Sequence, residues 1–215
     1  MSTILTFSDI AIDTAVGRRL ITVDAATFRP GLIALTGHNG AGKSTLLRTI
    51  MNLHPLSGGS ISLDGMDSRR DRRRFLSLTA FQPQNFAAYP ELTAVGFLTY
   101  FQRLRGRTKR EAGRAARDGL IRVGLGTAAD QPTSTFSQGM LQRLGLAYVT
   151  QTTSAVLYVL DEPFAGVDPE ARVALTALLA EEARSRIILM STHHVDEAVA
   201  QGASVVEIAG GRLII

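Results

Sequence analysis

The stretch Gly37-His38-Asn39-Gly40-Ala41-Gly42-Lys43-Ser44-Thr45 constrains this chain more than any other. An apolar run, Leu32-Ile33-Ala34-Leu35-Thr36, precedes it, and Leu46-Leu47-Arg48-Thr49-Ile50-Met51 follows. The order is strand, glycine loop and helix start, with the spacing G-x-x-x-x-G-K-[ST]. Glycines there let backbone N–H groups turn inward around phosphate oxygens, and the helix adds its positive N-terminal end. Lys43 supplies a point charge for the outer phosphates, and the Ser44 hydroxyl suits Mg²⁺. A bare glycine turn would need neither the strand before it nor the helix after it. The stretch therefore implies a site for a nucleoside triphosphate.

A length of 215 residues suits one domain, 1–215, and an apolar fraction of 45% is enough to bury a sizeable core. The chain has no cysteine, which excludes disulfides and thiol chemistry. Met1 to Asp9 has no basic flank before its short apolar run and does not read as a signal peptide. No apolar run reaches the length that spans a bilayer. The net charge of +4 is modest, and its arginines lie mostly in two patches. Arg69-Arg70-Asp71-Arg72-Arg73-Arg74 reads first as a solvated turn or helix, and second as a contact for lipid head groups or an acidic partner.

The N-terminal third reads as β: Ile4, Leu5 and Phe7, then Leu20 to Val23, then Ala25 to Phe28, as short runs with turn residues between them. Pro30-Gly31 is a turn before the strand Leu32 to Thr36. Gly58-Gly59 separates the first helix from a short strand, Ser60 to Leu63, and Asp64-Gly65 is a hairpin turn. Helical stretches follow at Ala94 to Leu104, Lys109 to Val123, and Ser137 to about Val149, the last with Leu141, Leu144, Ala147 and Tyr148 at helical spacing. Ala155 to Leu160 has the composition of a buried parallel strand. Asp168-Pro169 starts a helix that runs to about Ala183. Ile187 to Met190 is a second buried strand, and Val205 to Ala209 with Arg212 to Ile215 form a closing hairpin. Strands alternating with helices predict an α/β fold with a mainly parallel sheet, whose ligands bind beyond the carboxyl ends of the strands.

The phosphate loop, Asp161-Glu162 and Ser191-Thr192-His193-His194 all fall at such ends. An aspartate closing an apolar strand suits a metal-organising carboxylate, and its neighbour can orient or deprotonate an attacking water. His193 taken alone reads as a satisfied histidine at a strand end. His38, His54 and His194 read as a variable loop position, a helix end and a helix start.

Taken together, these segments resemble the ATP-binding subunit of an ABC transporter over essentially the whole chain. Gly37 to Thr45 matches the family's phosphate loop, and Pro83-Gln84 resembles its Q-loop. Phe136-Ser137-Gln138-Gly139-Met140 resembles the signature motif, and Leu157 to Glu162 the Walker B strand. Ala165-Gly166-Val167-Asp168 resembles the D-loop, and Ser191-Thr192-His193 the switch-histidine segment. The resemblance implies a phosphate-loop NTPase core, an antiparallel β subdomain, and a helical subdomain at about 85–150. It implies that ATP and Mg²⁺ are bound, with Ser44 and Asp161 at the metal, Gln84 at the metal or the attacking water, Glu162 as general base, and His193 on the γ-phosphate. Ser137 and Gly139 would contact the γ-phosphate bound to a second ATPase subunit, identical or different, and Asp168 would link the two sites. Residues 85–92 would meet a cytoplasmic helix of a polytopic membrane subunit. The chain would then sit peripherally on the cytoplasmic face of the cell membrane, with no nucleic-acid partner.

The sequence departs from the family pattern at three places. The region from Ile10 to Val16 holds no aromatic residue to stack on adenine, which leaves base selectivity open. Gln138 and Met140 replace the usual signature glycine and glutamine. Gly96 stands where a glutamate often follows the leucine-threonine-valine stretch. Export is mildly favoured by the serine-x-glycine-methionine form of the signature. The competing readings are a soluble ABC-type ATPase acting on nucleic acid or ribosomes, and a regulatory module that binds nucleotide without hydrolysing it.

Overall fold

The computed structural model describes residues 3–215. Met1 and Ser2, where the segment read above for a signal peptide begins, lie outside the described residues. The chain opens with two long antiparallel strands, β1 (Leu5–Asp13) and β2 (Arg19–Phe28). These replace the short runs expected from the sequence. The reason is a change of phase: Asp9 and Asp24 are exposed, and the alternation of buried residues resets there in both strands. An apolar run therefore looks broken where the strand is continuous.

β3 (Gly31–Thr36) leads through the phosphate loop into α1 (Lys43–Ile50). β4 (Gly58–Leu63) and β5 (Met66–Asp67) follow. Gly58 and Gly59 lie inside β4 and do not separate it from α1, because the ladder with β1 already begins at Gly58 opposite Ala11. Next come α2 (Arg72–Ser77) and β6 (Thr79–Gln82). The arginine run forms an exposed turn and the start of α2. The Asp67 carboxylate accepts the backbone N–H groups of Arg69 and Arg70, each at 2.9 Å, which shapes that turn.

The helical segments are α3 (Ala94–Leu104), α4 (Lys109–Arg122) and α5 (Gln138–Thr150). Thr108 and Glu111 form a reciprocal capping box at the start of α4, so the helix begins where its free N–H groups find partners. The chain closes with β7 (Leu157–Asp161), α6 (Pro169–Glu182), β8 (Ile187–Ser191), α7 (Val195–Ala200), β9 (Ser204–Ala209) and β10 (Arg212–Ile214). Asp168 accepts the N–H of Ala171 at 2.8 Å, as an N-cap carboxylate should.

All ten strands join one sheet in the order β5-β4-β1-β2-β10-β9-β3-β8-β7-β6. β1, β2, β4 and β5 pair antiparallel, whereas β9, β3, β8 and β7 run parallel. β7 and β8 are buried at every residue, as expected of strands covered on both faces.

The chain divides into two compact units. One comprises residues up to Phe81 with Ser154–Glu162 and Thr176–Ile215; the other comprises Gln82–Thr153 and Pro163–Leu175. In the first, Leu46, Leu47 and Ile50 of α1 belong to a core with Ile33, Leu35, Val159 and Leu189. Full burial of each such side chain contributes about 1.5–3 kcal/mol, so this core fixes where the phosphate loop ends and α1 begins. In the second unit, Phe101 packs on Phe97 and Tyr148 with ring centroids 5.0 and 4.9 Å apart, and the Arg105 guanidinium lies over Tyr148.

Candidate functional site

The loop from Gly37 to Gly42 lies at the carboxyl end of β3. At Gly37, φ is 142°, and a Cβ would stand 2.6 Å from the carbonyl oxygen of Ile208. Only glycine fits between the loop and β9 at that point. The Lys43 ammonium donates to the Gly37 carbonyl at 2.7 Å and contacts the His38 carbonyl at 3.3 Å. It thus spans the loop, with its charge held inside the ring that phosphates would fill. Gly42 occupies the N-cap of α1 with no side chain capping the helix, so its first N–H groups carry no side-chain partner. His38, Asn39 and Gly40 are exposed, Ala41 is buried, and Thr45 is half-buried. His38 Nδ1 lies 2.8 Å from the Asn39 carbonyl.

Asp161 ends β7 with no exposed surface. Its Oδ1 accepts the Ser44 hydroxyl at 3.0 Å and the Ser191 hydroxyl at 2.8 Å. Its Oδ2 has no hydrogen-bond partner. A buried carboxylate oxygen left unpaired is costly unless a cation or donor reaches it. One carboxylate with a spare oxygen beside a serine hydroxyl suits Mg²⁺, which takes few protein ligands and completes its shell with phosphates and water. Among the described residues no cluster of three or more acidic, histidine or cysteine side chains is present to hold a metal without such help.

Glu162 follows with φ at 46°, a region that non-glycine residues seldom occupy. Its N–H donates to the Ser191 hydroxyl at 2.9 Å. Ser191 therefore bridges the two acids, accepting from the backbone of one and donating to the side chain of the other. Glu162 Oε1 lies 3.0 Å from His193 Nε2. Burial lifts the Glu162 carboxyl above the usual carboxylate range, against the opposing pull of His193, Lys43 and His194; Asp161 adds to the rise. A carboxylate raised in this way is suited to take a proton from water near neutral pH.

The structure thus gathers Lys43, Ser44, Asp161, Glu162 and His193 within one unit. Gln84, Ser137 and Gly139 belong to the other unit. Gln84 is exposed, with its backbone carbonyl held by the Gln142 side chain. Ser137 is the N-cap of α5, where its hydroxyl accepts the Met140 N–H at 3.2 Å. Ser191 is a functional residue that the sequence alone does not single out, since in its segment only the histidine carries an expected role. The signal was a hydroxyl at the end of a buried strand, where an unpaired one would be costly.

Beside the loop lies a cavity of about 380 Å³ lined by Thr14, Arg18, Leu20, His38, Gly40 and Gly211, among others, with no phenylalanine, tyrosine or tryptophan. Arg19, also on its wall, is paired with Asp13 at 2.6 Å. Val16, at the turn between β1 and β2, is 89% exposed.

A glycine loop between a central parallel strand and its helix, facing a buried aspartate, defines a phosphate-loop nucleotide-binding domain. A family model described as ABC transporter matches residues 23–165. ATP-binding cassette sub-family A member 7 of Mus musculus is 37% identical over 183 residues, an alignment that takes in 85% of this chain and 8% of that protein. The retinal-specific phospholipid-transporting ATPase ABCA4 of Homo sapiens is 32% identical over 182 residues, again 85% of this chain and 8% of the other. The chain thus spans 8% of the length of these relatives. A solved structure of an ATP binding subunit of an ABC transporter superposes with a TM-score of 0.83 at 28% identity, over 98% of this chain and 88% of that one. The chain belongs to the ABC transporter family, and its mixed α/β fold is that of the family's ATPase domain.

Proposed function

We propose that this chain is a Mg²⁺-dependent ATPase subunit that dimerises around ATP and powers transport through a separate membrane subunit. The observation that carries this reading is the placing of Glu162 and Asp161 by a single hydroxyl, Ser191, beside Lys43 and Ser44. Lys43 and the free N–H groups of α1 bind the phosphates, and Glu162 takes the proton of the attacking water. Ser44 and Asp161, with Gln84, would hold Mg²⁺. When bound, that ion offsets the charge developing on the outer phosphates. His193 meets the γ-phosphate, and its contact with Glu162 keeps the base oriented until nucleotide arrives.

Ser137 and Gly139 open a helix whose N–H groups face an anion favourably, and we assign them to the γ-phosphate bound on the second subunit. No helix among the described residues is long and apolar enough to cross a membrane, and the membrane partner we assign is a polytopic subunit. The direction we favour is export, from the form of the signature at Ser137 to Met140. One of the relatives, ABCA4 of Homo sapiens, is named as a phospholipid-transporting ATPase, which makes lipids the first cargo to test.

The test mixes two variants in a Glu162→Gln background. Lys43→Ala removes the phosphate charge, and Ser137→Arg blocks the proposed docking face. Neither alone can build an intact shared site, but a mixed pair regenerates one. Dimer appearing in Mg-ATP only on mixing is the expected result in size-exclusion chromatography. Equal dimer in each variant alone would remove the shared site. Sedimentation of the chain with ribosomes in preference to membranes would move the reading to the soluble class.

A further inference from the structure

Gln142 lies one turn beyond Gly139 on α5 and is 1% exposed. Its side-chain nitrogen donates to the backbone carbonyl of Gln84. Its side-chain oxygen accepts from Gln82 Nε2 at 2.6 Å, and its backbone carbonyl accepts from the same nitrogen at 3.0 Å. Gln82 is itself fully buried, with its Oε1 unpartnered. Three glutamines thus form a chain: Gln82 orients Gln142, and Gln142 holds the backbone of Gln84.

Packing alone does not call for such a chain. Buried amides are costly until fully satisfied, and an apolar side chain of similar volume would fill the space at lower cost. What the Gln142 amide adds is direction, since it fixes one carbonyl of an otherwise exposed residue. At the N-terminal turn of α5, Gly139 lies so close to Gly166 that a Cβ would stand 2.3 Å from its carbonyl oxygen. One face of α5 therefore meets the segment before α6 at Gly139 and the Gln84 segment at Gln142.

We infer that Gln142 is a positioning residue that ties Gln84 to α5, so that the Gln84 side chain and the Ser137–Gly139 turn move as one piece. The inference rests on the reading of this chain as an ATPase, in which Gln84 reaches the metal or the water. Gln142 touches neither. Its effect on turnover runs through Gln84.

Gln142→Met keeps the volume and removes the amide, whereas Gln142→Glu keeps an acceptor for Gln82 and removes the donor to Gln84. Either variant should lower kcat by about tenfold, the scale of one buried hydrogen bond. KM for ATP should stay within about twofold, because the loss falls after binding. On a Gln84→Ala background the same substitution should change kcat by less than about twofold, since the residue it acts through is gone. Hydrogen exchange of amides 83–92, measured without nucleotide, should quicken in both variants while α4 keeps its protection. A variant that fails to fold is replaced by the other, and thermal melting shows which to use. Equal loss on the wild-type and Gln84→Ala backgrounds overturns the inference, as does unchanged exchange at 83–92. Wild-type protein that releases no phosphate from ATP would sink the ATPase reading separately, and exchange alone would then decide whether the tie exists.

Discussion

Ser191→Ala tests the site where its geometry is tightest. The hydroxyl makes two contacts in a place with no exposed surface, donating to Asp161 at 2.8 Å and accepting from the Glu162 N–H at 2.9 Å. The first is a hydrogen bond to a charged acceptor, which contributes about 1.5–3 kcal/mol. The second satisfies a donor whose loss leaves an N–H in partly buried surroundings, a cost of about 1–3 kcal/mol. Asp161 keeps its contact with Ser44, and some relaxation will follow, so the lowest part of the summed range applies: about 2.5–3 kcal/mol. For a chain of this size that lowers Tm by roughly 5–12 °C. Glu162 should suffer more than the fold does, because the Ser191 hydroxyl holds its N–H at the unusual φ of 46°. With the base free to leave that conformation, kcat should fall by about tenfold or more while KM for ATP changes little. Urea melts at constant m and steady-state phosphate release give the two numbers. A variant within about 0.5 kcal/mol of wild type and with wild-type kcat would refute the bridging role.

Glu162→Gln should lower turnover by about 10²–10⁴-fold while leaving nucleotide binding intact, since the amide keeps the shape but cannot take a proton; phosphate release near the wild-type rate would remove Glu162 from the base role. Because burial raises the Glu162 carboxyl and the His193 charge opposes that rise, kcat should fall as pH drops through a midpoint above the usual carboxylate range. His193→Ala should move that midpoint further up, so a downward shift in the pH–rate profile would contradict the assignment. The cavity beside the loop has no phenylalanine, tyrosine or tryptophan in its wall, so GTP should compete with ATP within about tenfold, a difference of about 1.4 kcal/mol. A thousandfold preference for ATP in a competition assay would show that another group reads the base.

What the sequence made legible is what is local along the chain. The phosphate loop carries its strand, glycines, lysine and helix within a few residues, and Asp161-Glu162 announces itself by ending an apolar strand. α3 spans Ala94–Leu104 as expected from the sequence, and the structure shows Thr93 capping it by accepting the Gly96 N–H. Contacts made at a distance were not legible. Ser191 meets Asp161 across 30 positions, and Gln142 meets Gln84 across 58. Helical spacing located α5, but which of its side chains are buried was not legible, for a related reason. It picked out Leu141, Leu144, Ala147 and Tyr148, yet Leu141 and Tyr148 are only half-buried, whereas Gln142, Leu146 and Val149 are buried. A helix enclosed on most sides has no single apolar stripe to find. In such a helix a polar residue can point inward only if its partners are already in place. A buried Gln142 is therefore a statement about Gln82 and Gln84, at the end of β6 and in the turn after it. The same holds for Ser191 and the two acids: each polar side chain becomes informative only once its unsatisfied alternative has been costed.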